Sequence, residues 1–132
     1  MKNMKIEALI KKANEMEEKF GHDSVEYKKF NEEHRNAWRW TRAYIISRDK
    51  GFDEIVYDDC IFESDVESFV EWGRKLGIGW FVFATGFSGA FETLDCFVQH
   101  GARVGKFVVK EYTQPRFGED ETVRLPGMRI NL

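Results

Sequence analysis

Hydrophobic spacing changes character near Phe52, and that change limits the folds open to this chain more than any other feature. Before it, apolar residues recur every three or four positions; after it, short runs of branched and aromatic residues alternate with brief helical patterns. Ile6, Leu9, Ile10, Ala13, Met16 and Phe20 form one stripe, broken at Gly21 and His22. Asp23 or Ser24 can cap a second helix, with Glu26 placed for a capping box behind Asp23. That helix carries Tyr27, Phe30, His34, Ala37, Trp38, Thr41, Tyr44 and Ile45, and Gly51 lies beyond its end.

From Phe52 onward the pattern predicts a short strand over Glu54–Tyr57. A helix follows, opened by a Ser64/Glu67 capping box and closed by Gly77. Ile78–Thr85 is a buried-strand run, and a third helix with Phe91, Leu94, Phe97 and Val98 ends at Gly101. Arg103–Thr113 alternates as a long strand, Gln114–Glu121 is a loop, and Thr122–Asn131 is a last strand bent at Pro126-Gly127. The expected fold is α/β: a small mixed sheet of about four strands with flanking helices and an N-terminal two-helix segment. The alternation of strand and helix implies a parallel core whose last strand returns antiparallel. Length and spacing together give one domain, 1–132, with N-terminal helices over 1–51 and an α/β core over 52–132.

Charge is unevenly spread along the chain. Residues 1–51 hold 12 Lys and Arg against 9 Asp and Glu, and residues 52–132 hold 8 against 14. Neither half is basic enough for duplex nucleic acid. No apolar run approaches the roughly 20 residues that span a bilayer, and the first residues lack the pattern of a signal peptide. Cys60 and Cys96 show no pairing pattern, so reduced thiols in a host bacterial cytoplasm are expected.

Three places could carry function. Thr85-Gly86-Phe87-Ser88-Gly89-Ala90 joins a strand to a helix, the setting of a serine nucleophile. His100, the one downstream histidine, lies 12 residues along the same helix, roughly 18 Å away, which argues against a hydrolase. The turn can instead offer backbone N–H groups to a phosphate or ribose, or it can be an ordinary capped turn. Arg35, Arg39 and Arg42 share one helical face beside Trp38 and Trp40. That face suits a phosphorylated aromatic ligand, or is simply a solvated one with Trp38 in the core. Tyr112 through Gly118, with Arg116, reads as a binding loop or as a plain connection. No catalytic set, metal-ligand spacing or cofactor motif emerges. The apolar stripes of the first two helices exceed what so small a core can bury, and a homodimer at least is expected.

The segment from Ile78 to about Glu121 also resembles a known family. Its elements are Gly77-Ile78-Gly79-Trp80-Phe81-Val82-Phe83, Phe87-Ser88 with Glu92-Thr93-Leu94, Phe97 to Gly101, Tyr112, and Gly118-Glu119 with Glu121. This pattern looks like the small phage and mobile-element proteins of Firmicutes that include the Thoeris anti-defence sponges. The resemblance implies a binding protein, not an enzyme, that sequesters a cyclic nucleotide immune signal. The signal would be of the glycocyclic ADP-ribose type or a cyclic oligonucleotide, left uncleaved. It further implies a dimer or dimer-built hexamer, with Phe87, Ser88 and Glu92 as pocket residues and Tyr112 and Arg116 as weaker transfers. The alternative is a small phage or plasmid protein that inhibits another protein and takes no small ligand.

Overall fold

The computed structural model describes residues 1–132. Helix α1 runs over Met4–Phe20, α2 over Val25–Glu33 and α3 over Arg35–Asp49. Strand β1 (Val56–Tyr57), α4 (Glu63–Lys75), β2 (Trp80–Phe83), α5 (Ala90–Gln99), β3 (Arg103–Arg116) and β4 (Glu119–Asn131) follow. The architecture is mixed α/β with one four-stranded sheet ordered β1-β2-β4-β3. β1 and β2 are parallel, while β4 is antiparallel to both β2 and β3. β2 and β3 therefore run the same way, as a strand–helix–strand unit predicts, but β4 inserts between them.

The second helical stripe is two helices, not one. His34 sits between α2 and α3 with φ −105° and ψ 16°, and its ring Nδ1 lies 2.6 Å from the Phe30 carbonyl oxygen. A side chain competing for that backbone acceptor bends the chain where the periodicity alone runs straight through. Ser24, rather than Asp23, caps α2 by accepting from the Tyr27 amide at 3.1 Å. α4 starts one residue before Ser64, so Phe62, which has no side-chain acceptor, takes the cap position and the expected capping box does not form.

The C-terminal strands depart furthest from expectation. Residues 114–121 are not a loop: β3 and β4 form one long hairpin with Arg116 opposite Glu119. Only Phe117 and Gly118 turn, both at positive φ (50° and 81°), the signature of a tight two-residue turn matched to strand twist. The irregularity lies not at Pro126-Gly127 but on the partner strand, between Val104 and Phe107. Gly127 matters for a different reason. A Cβ there would lie 2.8 Å from Ala84 Cα and closer still to the Phe83 carbonyl, so only glycine lets β2 leave the sheet past β4.

The main core lies between the sheet and the helices. Trp40 stacks on Phe69 at 4.0 Å between ring centres and meets Phe81 edge-on, with its indole N–H donated to the Phe69 carbonyl at 2.7 Å. α1 reaches this core through Ile6, with Leu9 and Ile10 packed against it. Asn3 fixes its start by capping the Ile6 amide and donating to the Leu76 carbonyl at 2.9 Å. The stripe of α1 is thus largely used within the chain. On the opposite face of the sheet, Phe52, Val56, Val82 and Ala84 form a small second cluster against Val108, Tyr112 and Leu125. No helix is long and apolar enough to cross a membrane.

Candidate functional site

Two faces of α3 divide its work. Ala37, Trp40, Thr41, Tyr44 and Ser47 are buried in the fold. Arg35, Trp38, Arg39, Arg42 and Ile46 recur at helical spacing along another face and line a cavity of about 530 Å³. Tyr57, Asp58 and Asp59 close its far side. These last residues sit at the C-terminal end of β1, where it runs parallel to β2, the place where open α/β sheets characteristically hold ligands.

Side chains from three elements fix the geometry. Ser47 of α3 accepts from the Val56 amide at 2.9 Å and so takes the place of a neighbouring strand along the outer edge of β1. This holds Tyr57 against Arg39, which donates from Nη1 to the Tyr57 hydroxyl at 3.2 Å and to the Cys60 carbonyl at 3.3 Å. Asp65, in the first turn of α4, pairs with Arg35 and approaches Arg39 Nη2 at 3.6 Å. Burial pushes the Tyr57 hydroxyl above its ordinary range, an effect the Arg39 hydrogen bond partly offsets. Burial works against the Arg39 charge, but Tyr57, Asp65 and Asp59 outweigh it and hold the guanidinium more firmly protonated than usual.

Beneath this surface Trp38 Nε1 and Arg39 Nε are buried and meet no acceptor in the chain. Each such group costs about 1–3 kcal/mol. Arg42 is exposed and joins no ion pair, although it lines the same cavity. Asp58 and Asp59 add exposed carboxylate acceptors on the facing wall. Cations, stacking surfaces and carboxylates in one cleft match a ligand that carries phosphate, a planar ring and hydroxyls together.

The residues singled out by sequence are brought together only in part. Arg39 and Arg42, with Arg35, converge on the cavity, whereas Trp40 is fully buried in the core. Thr85, Gly86, Phe87 and Ser88 follow β2 as a mostly exposed turn, with the Phe87 amide donating to Thr85 Oγ1 at 3.2 Å. Gly89, not Ser88, takes the cap position of α5, and the Phe87 ring lies over it. Glu92 is exposed one turn on, and none of these residues lines the cavity. Tyr112 is a strand residue on the other face of the sheet, edge-on to Phe52 with Lys50 4.1 Å from its ring centre. Arg116 lies next to the hairpin tip, paired with Glu121 at 2.9 Å. Sequence reasoning missed Tyr57, Asp58 and Asp59. Their signal was position alone: an acidic pair following a short strand.

A family model matches residues 39–132, so the chain belongs to the DUF7698 family, described as a domain of unknown function. The match begins within α3 and takes in Arg39, Arg42 and Tyr57. No curated protein and no solved structure matches the chain.

Proposed function

We propose that this DUF7698 chain binds a cyclic nucleotide signal in the cleft between α3 and the end of β1 and holds it without cleaving it. The observation that carries this reading is the arginine face of α3, with Arg42 exposed and in no ion pair, set against the acidic Asp58 and Asp59 across one cavity. Arg42 and the outer part of Arg39 would meet phosphate oxygens, and Trp38 would stack on a base. Asp58 and Asp59 would accept from ribose hydroxyls. The resemblance to anti-defence sponges supports a glycocyclic ADP-ribose or a cyclic oligonucleotide as the signal. It also supports a role in countering bacterial immunity from within the host cytoplasm, where the free thiols Cys60 and Cys96 would stay reduced.

A thermal-shift screen against ADP-ribose isomers and cyclic dinucleotides tests the proposal. A ligand present at about 100 times its Kd stabilises the fold by about 2.7 kcal/mol, a rise of several degrees. Arg42→Ala should remove that rise while leaving the ligand-free melting point in place. Ligand released by heat should chromatograph unchanged. No shift from any nucleotide, or a shift that Arg42→Ala leaves intact, would overturn the assignment and favour the protein-binding alternative.

A further inference from the structure

We infer that a second, polar cavity beside the cleft binds a short diamine in its doubly protonated form. The inference does not rest on the nucleotide reading of the cleft. This cavity, of about 270 Å³, lies where the end of α2, the start of α3 and the first turns of α4 meet. Glu32 and Glu33 come from α2, Asn36 from α3, and Ser64, Asp65 and Ser68 from α4. Each of these carries a side-chain oxygen, Arg35 is the remaining wall, and no apolar residue lines the space.

Asn36 distinguishes the cavity from a merely solvated acidic patch. It is only 4 % exposed, and its Oδ1 meets no donor in the chain. A buried carbonyl oxygen without a donor is a standing cost that a ligand N–H can remove. Arg35, next to it in the chain, is mostly exposed and held by Asp65 alone. Its withdrawal into water opens the inner end of the cavity towards Asn36.

Charge identifies the ligand as a dication. Three carboxylates against one guanidinium leave two negative charges on the lining. Lys29 reaches Glu33 only at 3.9 Å and from outside, an exposed pair of little strength. α2 also ends on Glu32 and Glu33 with no basic residue in its last turn, so the negative end of its dipole adds to their charge. No three acidic side chains converge as ligands of a divalent metal would. The volume is well above the roughly 30 Å³ of one water, which suits a molecule more than a bare ion. An ammonium group has three donors and no acceptor, the complement of a lining rich in oxygens. One ammonium takes the place of Arg35 at Asp65 and reaches Asn36, and the other meets Glu32. The methylenes between them lie along the aliphatic stems of Glu32 and Arg35.

Titration calorimetry of the full chain with putrescine, a four-carbon diamine, at low ionic strength tests the site. Putrescine should bind saturably with one-to-one stoichiometry. Butylamine, with one ammonium on the same carbon chain, should bind about ten-fold more weakly, the scale of one charge-assisted contact. Glu32→Gln should weaken putrescine by about five-fold, the upper range for an exposed ion pair. Glu15→Gln, at an exposed glutamate of α1 outside the cavity, should leave binding unchanged. Asn36→Asp keeps the side-chain shape and adds a carboxylate, so it should tighten putrescine while lowering the ligand-free melting point. Absence of saturable binding overturns the proposal. So does an equal loss in Glu32→Gln and Glu15→Gln, or displacement of putrescine by an equal concentration of magnesium, either of which means counterion attraction alone.

Discussion

Asp65→Asn tests the ionic frame of the cleft without changing side-chain volume. Asp65 is 8 % exposed and faces two guanidinium groups of very different burial: Arg35 is 66 % exposed and Arg39 25 %. Breaking a fully buried ion pair costs about 3–5 kcal/mol, because the surviving charge is stranded. Here Arg35 can swing into water at little cost, so most of the loss falls on Arg39. Arg39 keeps the Tyr57 hydroxyl and the Cys60 carbonyl as acceptors. The expected destabilisation is therefore about 2 kcal/mol, midway between an exposed pair and a buried one.

For a domain of this size, that corresponds to a fall in Tm of roughly 6–10 °C. Urea denaturation should show a lower midpoint with an unchanged slope. Arg35→Ala should cost less than about 1 kcal/mol, and Arg39→Ala about as much as Asp65→Asn. The double variant Arg39→Ala/Asp65→Asn should be less destabilised than the sum of the two, since each single change strands the other partner. An Arg35→Ala loss equal to that of Asp65→Asn would refute the ranking by burial. Strict additivity of Arg39 and Asp65 would refute their coupling.

Four further outcomes follow from other parts of the structure. Stability should fall above about pH 10: Tyr57 and Lys110 both hold their protons more tightly when folded, so the unfolded chain releases them first. Burial is the main cause at Tyr57, whereas at Lys110 the pairing with Glu54 and Asp53 outweighs burial; Tyr57→Phe should remove the tyrosine's share of the slope in melts from pH 9 to 11.5. Gly127→Ala should cost about 3 kcal/mol in chemical denaturation, because its Cβ meets β2 backbone that cannot move aside. Phe117→Asn should stabilise the hairpin by about 1 kcal/mol, read as a higher Tm, because phenylalanine at φ 50° carries strain that asparagine largely avoids. Trp38→Phe should leave the fold intact with a melting point no lower than the wild type's, since it deletes a buried donor with no partner in the chain.

Elements with their own periodicity were legible in the sequence. α1, α4 and α5 follow stripes whose buried members include Ile6, Phe69 and Phe97, and strands over β1, β2 and both arms of the hairpin were expected near their places. What failed was decided by partners distant in sequence or by single side chains. No periodicity marks the insertion of β4 between β2 and β3, because strand order depends on which edges bury apolar surface together. The hairpin was hidden because Gln114, Pro115 and Arg116 look like loop residues. They are strand residues because Glu119–Glu121 stand opposite them, with Arg116 paired to Glu121.

The site was half legible for a related reason. Spacing along one helix is enough to align Arg35, Arg39 and Arg42, whatever the rest of the chain does. It does not tell which neighbouring tryptophan faces inward. Trp40 is the buried one because its ring fits between Phe69 and Phe81 and its N–H finds the Phe69 carbonyl. That choice turns Trp38 outward by about 200° of helical rotation, onto the arginine face. The core therefore sets the chemistry of the cleft: exchanging the two roles would strand an indole N–H in the core and take a ring from the ligand surface. Trp40→Phe should accordingly disturb the cleft indirectly, lowering Tm through the lost Phe69 hydrogen bond and weakening nucleotide binding only as far as α3 shifts. A Trp40→Phe protein that melts like the wild type would mean that another contact, not the Phe69 carbonyl, orients α3.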